Sequence, residues 1–349
     1  MLKSISFYVI SGRLLRAGRS GNISRIVAGV LMLIFCLARP AGAWSDTGHR
    51  LVALIAWEDL TPAAKARLTE ILKAHPRYKE DLLADLDADL PNSTPGEDQD
   101  RFAFGIAATW PDLVRSFSNP MHVTFNHPAW HYIDIPYVIG GQAVILPPDQ
   151  GPPPHNAVEA LAFCAGELKD PAAADKDKAI ALCWVLHLCG DIHQPLHGVE
   201  LFSPQYPNGD QGGNAELVLR QPPYPDSQTK LHALWDQLPG PYKSEEVCRD
   251  LASGLRSDPR YSRAALKDKL AVTDFAAWAQ ESHDLAIKYA YLDGQLQSAA
   301  SSGPTTQPTE QIPGLPPGYM AQAEDVAMAR IILAGYRTAD LLNGIMDQK

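Results

Sequence analysis

Apolar residues recur at intervals of three and four through most of the chain beyond residue 44, the spacing of amphipathic helices. Ser45 or Asp46 stands where it would cap the first of these predicted helices. The second begins at Thr61-Pro62, a helix start signal, and carries Leu68, Ile71 and Leu72 on one face. The pattern predicts helices over residues 45–57, 61–72, 101–110, 156–168, 174–192, 230–238, 244–255, 274–292 and 319–342.

Segments rich in proline, glycine and asparagine separate the predicted helices. Residues 119–136 lack helical spacing and are predicted to be loop with short extended pieces, and the proline-rich residues 147–154 a surface loop. Ala215-Glu-Leu-Val-Leu, between residues 198 and 224, indicates a short hairpin. Residues 298–317, rich in Ser, Thr, Pro and Gly, are predicted to be a flexible insertion. The sequence therefore predicts a single all-α, multi-helix domain with a small β-hairpin and long loops.

The first 43 residues differ from the rest in composition. They contain six Lys and Arg residues and no acid, an apolar run over residues 26–38, and the ending Ala41-Gly42-Ala43. A basic region, an apolar core and a small-residue cleavage site are typical of a secretory signal peptide. We therefore predict a signal peptide over 1–43 and a mature domain over 44–349 that begins at Trp44. The protein is expected to be secreted or periplasmic, without a membrane anchor after cleavage.

Charge and cysteine content bound the function further. Loss of the six basic residues takes the formal net charge from -10 to -16. Such an acidic surface argues against binding nucleic acid through charge over a broad area, although a bound metal would still create a local cationic pocket. In an oxidising compartment the mature chain's four cysteines predict two disulfides, with three pairings open. These cysteines are Cys164, Cys183, Cys189 and Cys248.

The stretch from Cys183 to His197 carries the first candidate chemistry. His187 and Asp191 are four residues apart, so a helix would place both side chains on one face. Pro195 is expected to kink or end that helix and to bring His197 back toward the same cavity. Imidazole and carboxylate groups are the usual ligands of hydrolytic zinc, so the segment predicts a metal site. A core helix that carries hydrogen-bonded histidines is the alternative.

Further candidate ligands are scattered along the chain. One pair repeats the four-residue spacing of His187 and Asp191, and the others occur singly. Taken alone, each is more simply explained as a helix cap, a surface ion pair or a core histidine. The pair is His232 and Asp236, and the others are Trp44, His49, Asp112, His131 and Asp134.

In this order, the residues resemble the zinc-dependent single-strand-specific nuclease and 3′-nucleotidase family of fungi, plants and bacteria, the type I nucleases. The resemblance covers the whole mature chain and includes Gly212-Gly213-Asn214 and Ala334-Gly335-Tyr336-Arg337. Zinc-dependent phospholipase C shares the arrangement but has glutamate as its last ligand. Asp236 therefore favours the nuclease branch.

The resemblance implies three zinc ions as cofactors. Their six positive charges would face three carboxylates and leave a cationic pocket for a phosphodiester in an acidic protein. The implied ligands are Asp112, His131, His187 and Asp191 for the first zinc, His197, His232 and Asp236 for the second, and Trp44 through its amine and carbonyl, His49 and the other oxygen of Asp191 for the third.

The resemblance also implies the reaction, which is hydrolysis of single-stranded DNA or RNA to 5′-phosphorylated products, with 3′-nucleotidase activity. Asp112 would orient the attacking water, Arg115 would clamp the phosphate with its guanidinium fork, and Asn214 would donate another hydrogen bond. Tyr132 and Asp134 match positions that stack on and hydrogen-bond the base, and such stacking favours unpaired strands. The expected substrates are single-stranded nucleic acid and 3′-nucleotides, and the expected protein is a monomer.

Two other functions stay open from the sequence. One is a phospholipase C that acts on choline lipids, which assays on both substrate classes would separate from a nuclease. The other is a non-catalytic zinc-binding structural protein. Against the latter stands the implied third site, since a structural zinc has a closed ligand shell.

Overall fold

The computed structural model describes residues 44–91, 96–141, 144, 151–220, 228–301 and 312–347. The predicted signal peptide, residues 147–150 of the predicted proline-rich loop and residues 302–311 of the predicted insertion lie outside this description. The α-helices are α1 Asp46–Asp59, α2 Pro62–Lys73, α3 Leu86–Asp89, α4 Glu97–Ala107, α5 Trp110–Leu113, α6 His122–Phe125, α7 Ala157–Lys169, α8 Asp175–Asp191, α9 Leu231–Asp236, α10 Glu245–Ser257, α11 Lys267–Leu270, α12 Phe275–Leu285 and α13 Tyr319–Met346.

The strands are few and short. Two of them form a parallel pair, and the other three form an antiparallel sheet in which β3 is central. The predicted strand around residues 215–219 is confirmed as β3, but its antiparallel partner β4 begins at Gln228, beyond the predicted hairpin range of 198–224. Residues 221–227, between the two strands, are outside the described chain. The strands are β1 Pro136–Val138, β2 Glu200–Phe202, β3 Glu216–Leu219, β4 Gln228–Lys230 and β5 Ala299–Ala300. The fold is therefore mostly helical, as the sequence predicts.

Local sequence explains where several helices begin and end. The Thr61 hydroxyl accepts a hydrogen bond from the Ala64 amide at 3.1 Å, which caps α2 as its start signal predicts. Asn156 caps α7 in the same way. The predicted helix over 274–292 is interrupted, since α12 ends at Leu285 and a π-helical turn, Ala286–Ala290, follows. Such a wide turn costs little locally and leaves no periodicity signal, so the sequence does not reveal it.

Helix α8 lies at the centre of the molecule. Every residue from Lys178 to Asp191 is buried, and α1, α2, α5, α7 and α13 pack around it. A helix that is apolar on all sides belongs in a core, where it cannot move against its neighbours. The longest helix, α13, crosses α1 so closely that a Cβ on Gly335 would overlap Ile55. The ligands on α1 and α8 are thereby held on rigid elements.

The prediction of two disulfides is wrong for this structure, in which all four mature cysteines are buried free thiols. Cys183 and Cys189 are six residues apart on one helix, a rise of about 9 Å, beyond the reach of a disulfide. Cys248 packs in a different hydrophobic cluster from Cys164 and the other two. Each thiol acts as a small core side chain.

The predicted insertion over 298–317 is attached to the fold at both described ends. Ala299–Ala300 forms β5 against β3, and Gly314 bridges to Leu219. Ile312 and Leu315 are buried. Among the described residues, no helix has the length and apolar character that crossing a membrane requires.

Candidate metal centre

The carboxyl end of α8 presents the first ligands. His187 and Asp191 are fully buried, and His187 Nε2 lies 3.0 Å from Asp191 Oδ2. The helix ends at Asp191, and a 3₁₀ turn, Pro195–Gly198, brings His197 Nδ1 to 3.6 Å from Asp191 Oδ1. The helix end expected near Pro195 therefore returns the second imidazole to the cavity, as the sequence predicts.

Asp191 is the residue on which the site converges. Its Oδ2 lies 3.1 Å from His131 Nδ1 as well as near His187, and its Oδ1 lies 3.5 Å from His49 Nε2 as well as near His197. One carboxylate thus faces four imidazoles from four separate segments. This arrangement suits a group that is shared between metal ions.

Three sets of side chains each have ligand atoms within 4.8 Å of one another. Each predicted His and Asp ligand belongs to at least one of these sets, and His187 belongs to two. The sets are His49, His187 and Asp191; Asp112, His131 and His187; and His197, His232 and Asp236.

Unpaired buried atoms indicate that these sets fit metal ions. His49 Nε2, His131 Nε2, His197 Nε2 and Asp191 Oδ1 are buried without a hydrogen-bond partner among the described residues. Native proteins rarely leave such atoms unsatisfied. In addition, His131 Nδ1 and His187 Nε2 approach each other to 2.9 Å. Zinc would satisfy these lone pairs together, since imidazole and carboxylate are its preferred ligands.

Backbone carbonyls set the orientation of three of the imidazoles. Nδ1 of His187 lies 2.8 Å from Ala108 O, and Nδ1 of His197 lies 2.6 Å from His131 O. His232 Nδ1 is likewise 2.6 Å from the carbonyl of Gly212. A donated Nδ1 proton places the lone pair on Nε2 and fixes the ring, as is typical of metal-ligating histidines.

Burial and neighbouring charges act against each other in the electrostatics of the site. Burial lowers the pKa of His49 to about 3, with a further contribution from His187. Burial also opposes ionisation of Asp191, but His187 and His197 outweigh it and hold the pKa of Asp191 well below its usual value. Asp191 is therefore an anion and His49 is neutral near pH 7. An anionic carboxylate and a neutral imidazole are the forms that bind a cation. At His197 burial is outweighed by Asp191 and Asp236, which raise its pKa to about 9, so a metal would have to displace a proton there.

Trp44 is packed into the same region. Its Nε1 donates to Gly190 O at 3.0 Å, and the Ser45 amide donates to Asp236 O at 2.9 Å. A Cβ on Gly190 would lie 2.8 Å from His49 Nδ1, so glycine is needed there to leave room for the His49 ring. The predicted N-terminal ligand is thus anchored between the ends of α8 and α9.

The predicted substrate residues lie on segments that the ligands hold. Arg115 pairs with Asp112 at 2.7 Å. Ile133 donates its amide to His197 O at 2.8 Å, which fixes the segment of Tyr132 and Asp134 beside that ligand. Asn214 follows Gly212, whose carbonyl contacts His232, and its Nδ2 donates to Gln211 O at 3.0 Å.

Several buried polar residues around the site were not predicted. Gln194 donates to Asp236 Oδ1 at 2.7 Å. Asp210 and Glu200 accept amide hydrogen bonds from the loop that contains Asn214. These residues have no spacing relation to the ligands, so no sequence signal distinguishes them from surface polar residues.

Three carboxyl groups beside the site have raised pKa values. Burial, with the nearby Asp134 and Asp210, raises the pKa of Glu200 to about 8. Burial and Asp210 raise the pKa of Glu216 to about 8 and that of Asp134 to about 6. Folding therefore favours the protonated form of these groups.

Glu200→Gln is expected to flatten the pH dependence of stability. The folded pKa exceeds the unfolded value, so the stabilisation is complete below about pH 4.5 and is lost as the pH rises through about 8. Between pH 5 and 8 the wild type should lose about 3 kcal/mol of unfolding free energy relative to this variant. Urea unfolding of metal-free protein across this range measures it. The exposed Glu246→Gln is the control, and equal slopes in wild type and Glu200→Gln would refute the expectation.

Comparison with known proteins agrees with this geometry. A sequence model of the family described as S1/P1 Nuclease matches residues 44–347. The chain belongs to the S1/P1 nuclease family. This membership confirms the resemblance inferred from the ordered ligand residues, and it places the chain among nucleases, which hydrolyse phosphodiester bonds of nucleic acids.

Individual members of the S1/P1 nuclease group are similar along nearly their full lengths. Endonuclease 1 of Arabidopsis thaliana is 25% identical over 351 residues, covering 94% of this chain and 95% of the relative. Endonuclease 3 of the same plant is 24% identical over 339 residues, covering 91% and 94%. The likeness therefore extends over the helices and loops that carry the candidate ligands.

Proposed function

We propose that this chain is an exported zinc-dependent endonuclease that hydrolyses single-stranded DNA and RNA to 5′-phosphorylated products and also acts as a 3′-nucleotidase. The observation that carries the proposal is the convergence of buried, unpaired imidazole and carboxylate atoms on Asp191 and Asp236. Three zinc ions would be held by the nine predicted ligands, Trp44 included. Bound there, zinc would supply Lewis acidity that lowers the pKa of water and stabilises charge on the phosphate and on the leaving oxygen.

The chain's own residues would bind and orient the phosphodiester. The guanidinium of Arg115, paired with Asp112, would donate to two phosphate oxygens in a fork geometry. An Asp112 carboxylate oxygen would accept a hydrogen bond from the attacking water and so aim the lone pair of the water at phosphorus. One N–H of the Asn214 amide donates to Gln211 O, and the other would donate to the phosphate.

Tyr132 and Asp134 would select unpaired bases. The Tyr132 ring is half-buried beside the ligand segment, so a base must leave its duplex stack to reach it. Because burial and Asp210 raise the pKa of Asp134 to about 6, its carboxyl group would donate as well as accept hydrogen bonds in mildly acidic solution. Stacking on the Tyr132 ring would therefore favour single strands, and Asp134 would contact the edge of the stacked base.

Residues 1–43 would serve as the signal peptide and residues 44–349 as the mature, monomeric enzyme. Cleavage after Ala43 would free the amine of Trp44 for the third metal. The acidic mature chain would then depend on the metal pocket, rather than on a basic surface, to attract substrate.

The test combines metal content with substrate preference. Purified mature protein should contain three zinc ions per chain by elemental analysis and cleave single-stranded oligonucleotides much faster than a duplex of the same sequence. The products should carry 5′-phosphates, and chelation should abolish cleavage until zinc is restored. Cleavage of phosphatidylcholine without cleavage of oligonucleotides would refute the proposal in favour of a phospholipase C. Zinc content without any hydrolysis would favour a structural protein.

A further inference from the structure

The loop that carries Asn214 has an unusual backbone. Gln211, Gly212 and Gly213 have φ values of 58°, 58° and 82°, so three successive residues occupy the left-handed region. Gln211 is a non-glycine residue there, and a Cβ on Gly212 would collide with Leu196 O. Such a backbone persists only where the surroundings hold it in place.

The carboxylate of Asp210 is the group that holds this loop. Asp210 is fully buried, and its Oδ1 accepts the Leu201 amide at 2.9 Å. Its Oδ2 accepts the Gly213 amide at 2.7 Å and the Tyr291 hydroxyl at 2.6 Å. The carboxylate thus ties the loop to β2 on one side and to the segment after α12 on the other.

The loop in turn holds a ligand. Gly212 O lies 2.6 Å from His232 Nδ1, and the backbone amide of His232 donates to Gly213 O at 3.3 Å. The His232 ring stacks on His197 with centroids 4.9 Å apart, and its Nε2 lies 3.6 Å from Asp236 Oδ2. A shift of the Gly212 carbonyl would break its hydrogen bond with His232 Nδ1 and let the ring turn away from His197 and Asp236.

We propose that Asp210 and Tyr291 are positioning residues for the His197, His232 and Asp236 set. The Tyr291 hydroxyl aligns the Asp210 carboxylate, the carboxylate shapes residues 211–213, and the Gly212 carbonyl then fixes the His232 ring with Nε2 directed at its partners. Neither residue contacts substrate or metal. The inference rests on the proposed function only in taking zinc as the ion that this set binds.

Tyr291→Phe tests the chain of contacts with a minimal change. It deletes one hydroxyl and keeps the buried ring, so packing is preserved. Zinc titrated into metal-free protein, in competition with a chromophoric chelator, should show one binding step weakened about ten-fold and the others unchanged. Cobalt substitution should shift the visible spectrum of the same step, and kcat should fall while KM for oligonucleotide stays within two-fold.

Tyr206→Phe is the matched control. Tyr206 is a buried tyrosine of the same hydrophobic cluster, and its hydroxyl contacts Ser298 Oγ at 3.1 Å and Gln205 instead of Asp210. It should lose comparable thermal stability without any change in zinc affinity. Asp210→Asn should exceed Tyr291→Phe in effect, because its amide would turn a donor toward one of the three donors that now face the carboxylate. If Asp210→Asn does not fold, Tyr291→Phe decides alone.

The outcomes separate this inference from the proposed function. Unchanged zinc affinity in Tyr291→Phe, or equal losses in Tyr291→Phe and Tyr206→Phe, would overturn the positioning role. Weakened zinc binding in Tyr291→Phe, measured without nucleic acid, would support it even if the wild type cleaved no oligonucleotide. A wild-type protein that binds no zinc through His232 would overturn it together with the zinc assignment.

Discussion

Asp191→Asn should reduce hydrolysis by on the order of 100-fold or more beyond the loss caused by Asp236→Asn. Mutating even a residue that only hydrogen-bonds to a metal ligand typically costs about 10–100-fold in metal affinity or activity. Both oxygens of Asp191 are used, with two imidazoles near each. Asp236 faces only His197 and His232, and Gln194 already occupies one of its oxygens. Under the proposed assignment, replacing one Asp191 oxygen by an amide NH₂ therefore disturbs the coordination of two zinc ions, whereas the Asp236 change disturbs that of one.

Zinc content and rate, measured on the same preparations, check this expectation. Asp191→Asn should retain one zinc per chain and Asp236→Asn two. Asp81→Asn is the control for loss of a buried carboxylate away from the ligands, since Asp81 pairs with Arg77 and Trp110. It should lower thermal stability and leave zinc content unchanged. Similar zinc content and rate in the Asp191 and Asp236 variants would contradict the assignment of Asp191 as a shared ligand.

A single residue added before Trp44 should remove one zinc and most of the hydrolysis. The added residue converts the α-amine into an amide, which has no basic lone pair for a metal, whereas a free amine with a pKa near ~8 loses its proton at little cost. The Trp44 indole and the Ser45 amide would keep their contacts with Gly190 and Asp236, so the fold should survive. The effect should therefore appear in metal content and rate rather than in stability.

The measurement compares two otherwise identical forms of the chain, one beginning at Trp44 and one at Ala43. Elemental analysis should find three zinc ions in the first form and two in the second. Circular dichroism should give the same melting temperature for metal-free samples of both. Full activity with three zinc ions in the longer form would show that the amine of Trp44 is not a ligand.

Helical features of the fold and site follow from local sequence. The apolar residues that follow Thr61-Pro62 at helical spacing predict α2, because capping and helical spacing act within a few residues. The four-residue spacing of His187 and Asp191 places both on one face of α8 for the same reason. Ligands far apart in sequence, such as His49 and His131, were assigned through the family resemblance, since no local rule joins them.

Features that depend on distant contacts were missed or wrongly predicted. The four cysteines suggested disulfides because composition carries no distances, and the fold keeps Cys183 and Cys189 apart on one helix. Asp210 and Tyr291 are 81 residues apart, and their contact depends on how the segment after α12 packs against β2. Polar residues of this kind look like ordinary surface residues until the chain is folded.

The sequence by itself determined the helical class, the starts of several helices and the residue types of the candidate metal ligands, because these depend on local spacing and side-chain chemistry. Only the tertiary structure decided which atoms of Asp191 face which imidazoles and which carbonyls orient the rings. It also decided which buried carboxyl groups stand close enough to raise one another's pKa values. Those outcomes depend on distances of a few ångströms between segments far apart in the chain, which are set only when α8 and its surrounding helices pack into a close-fitting core.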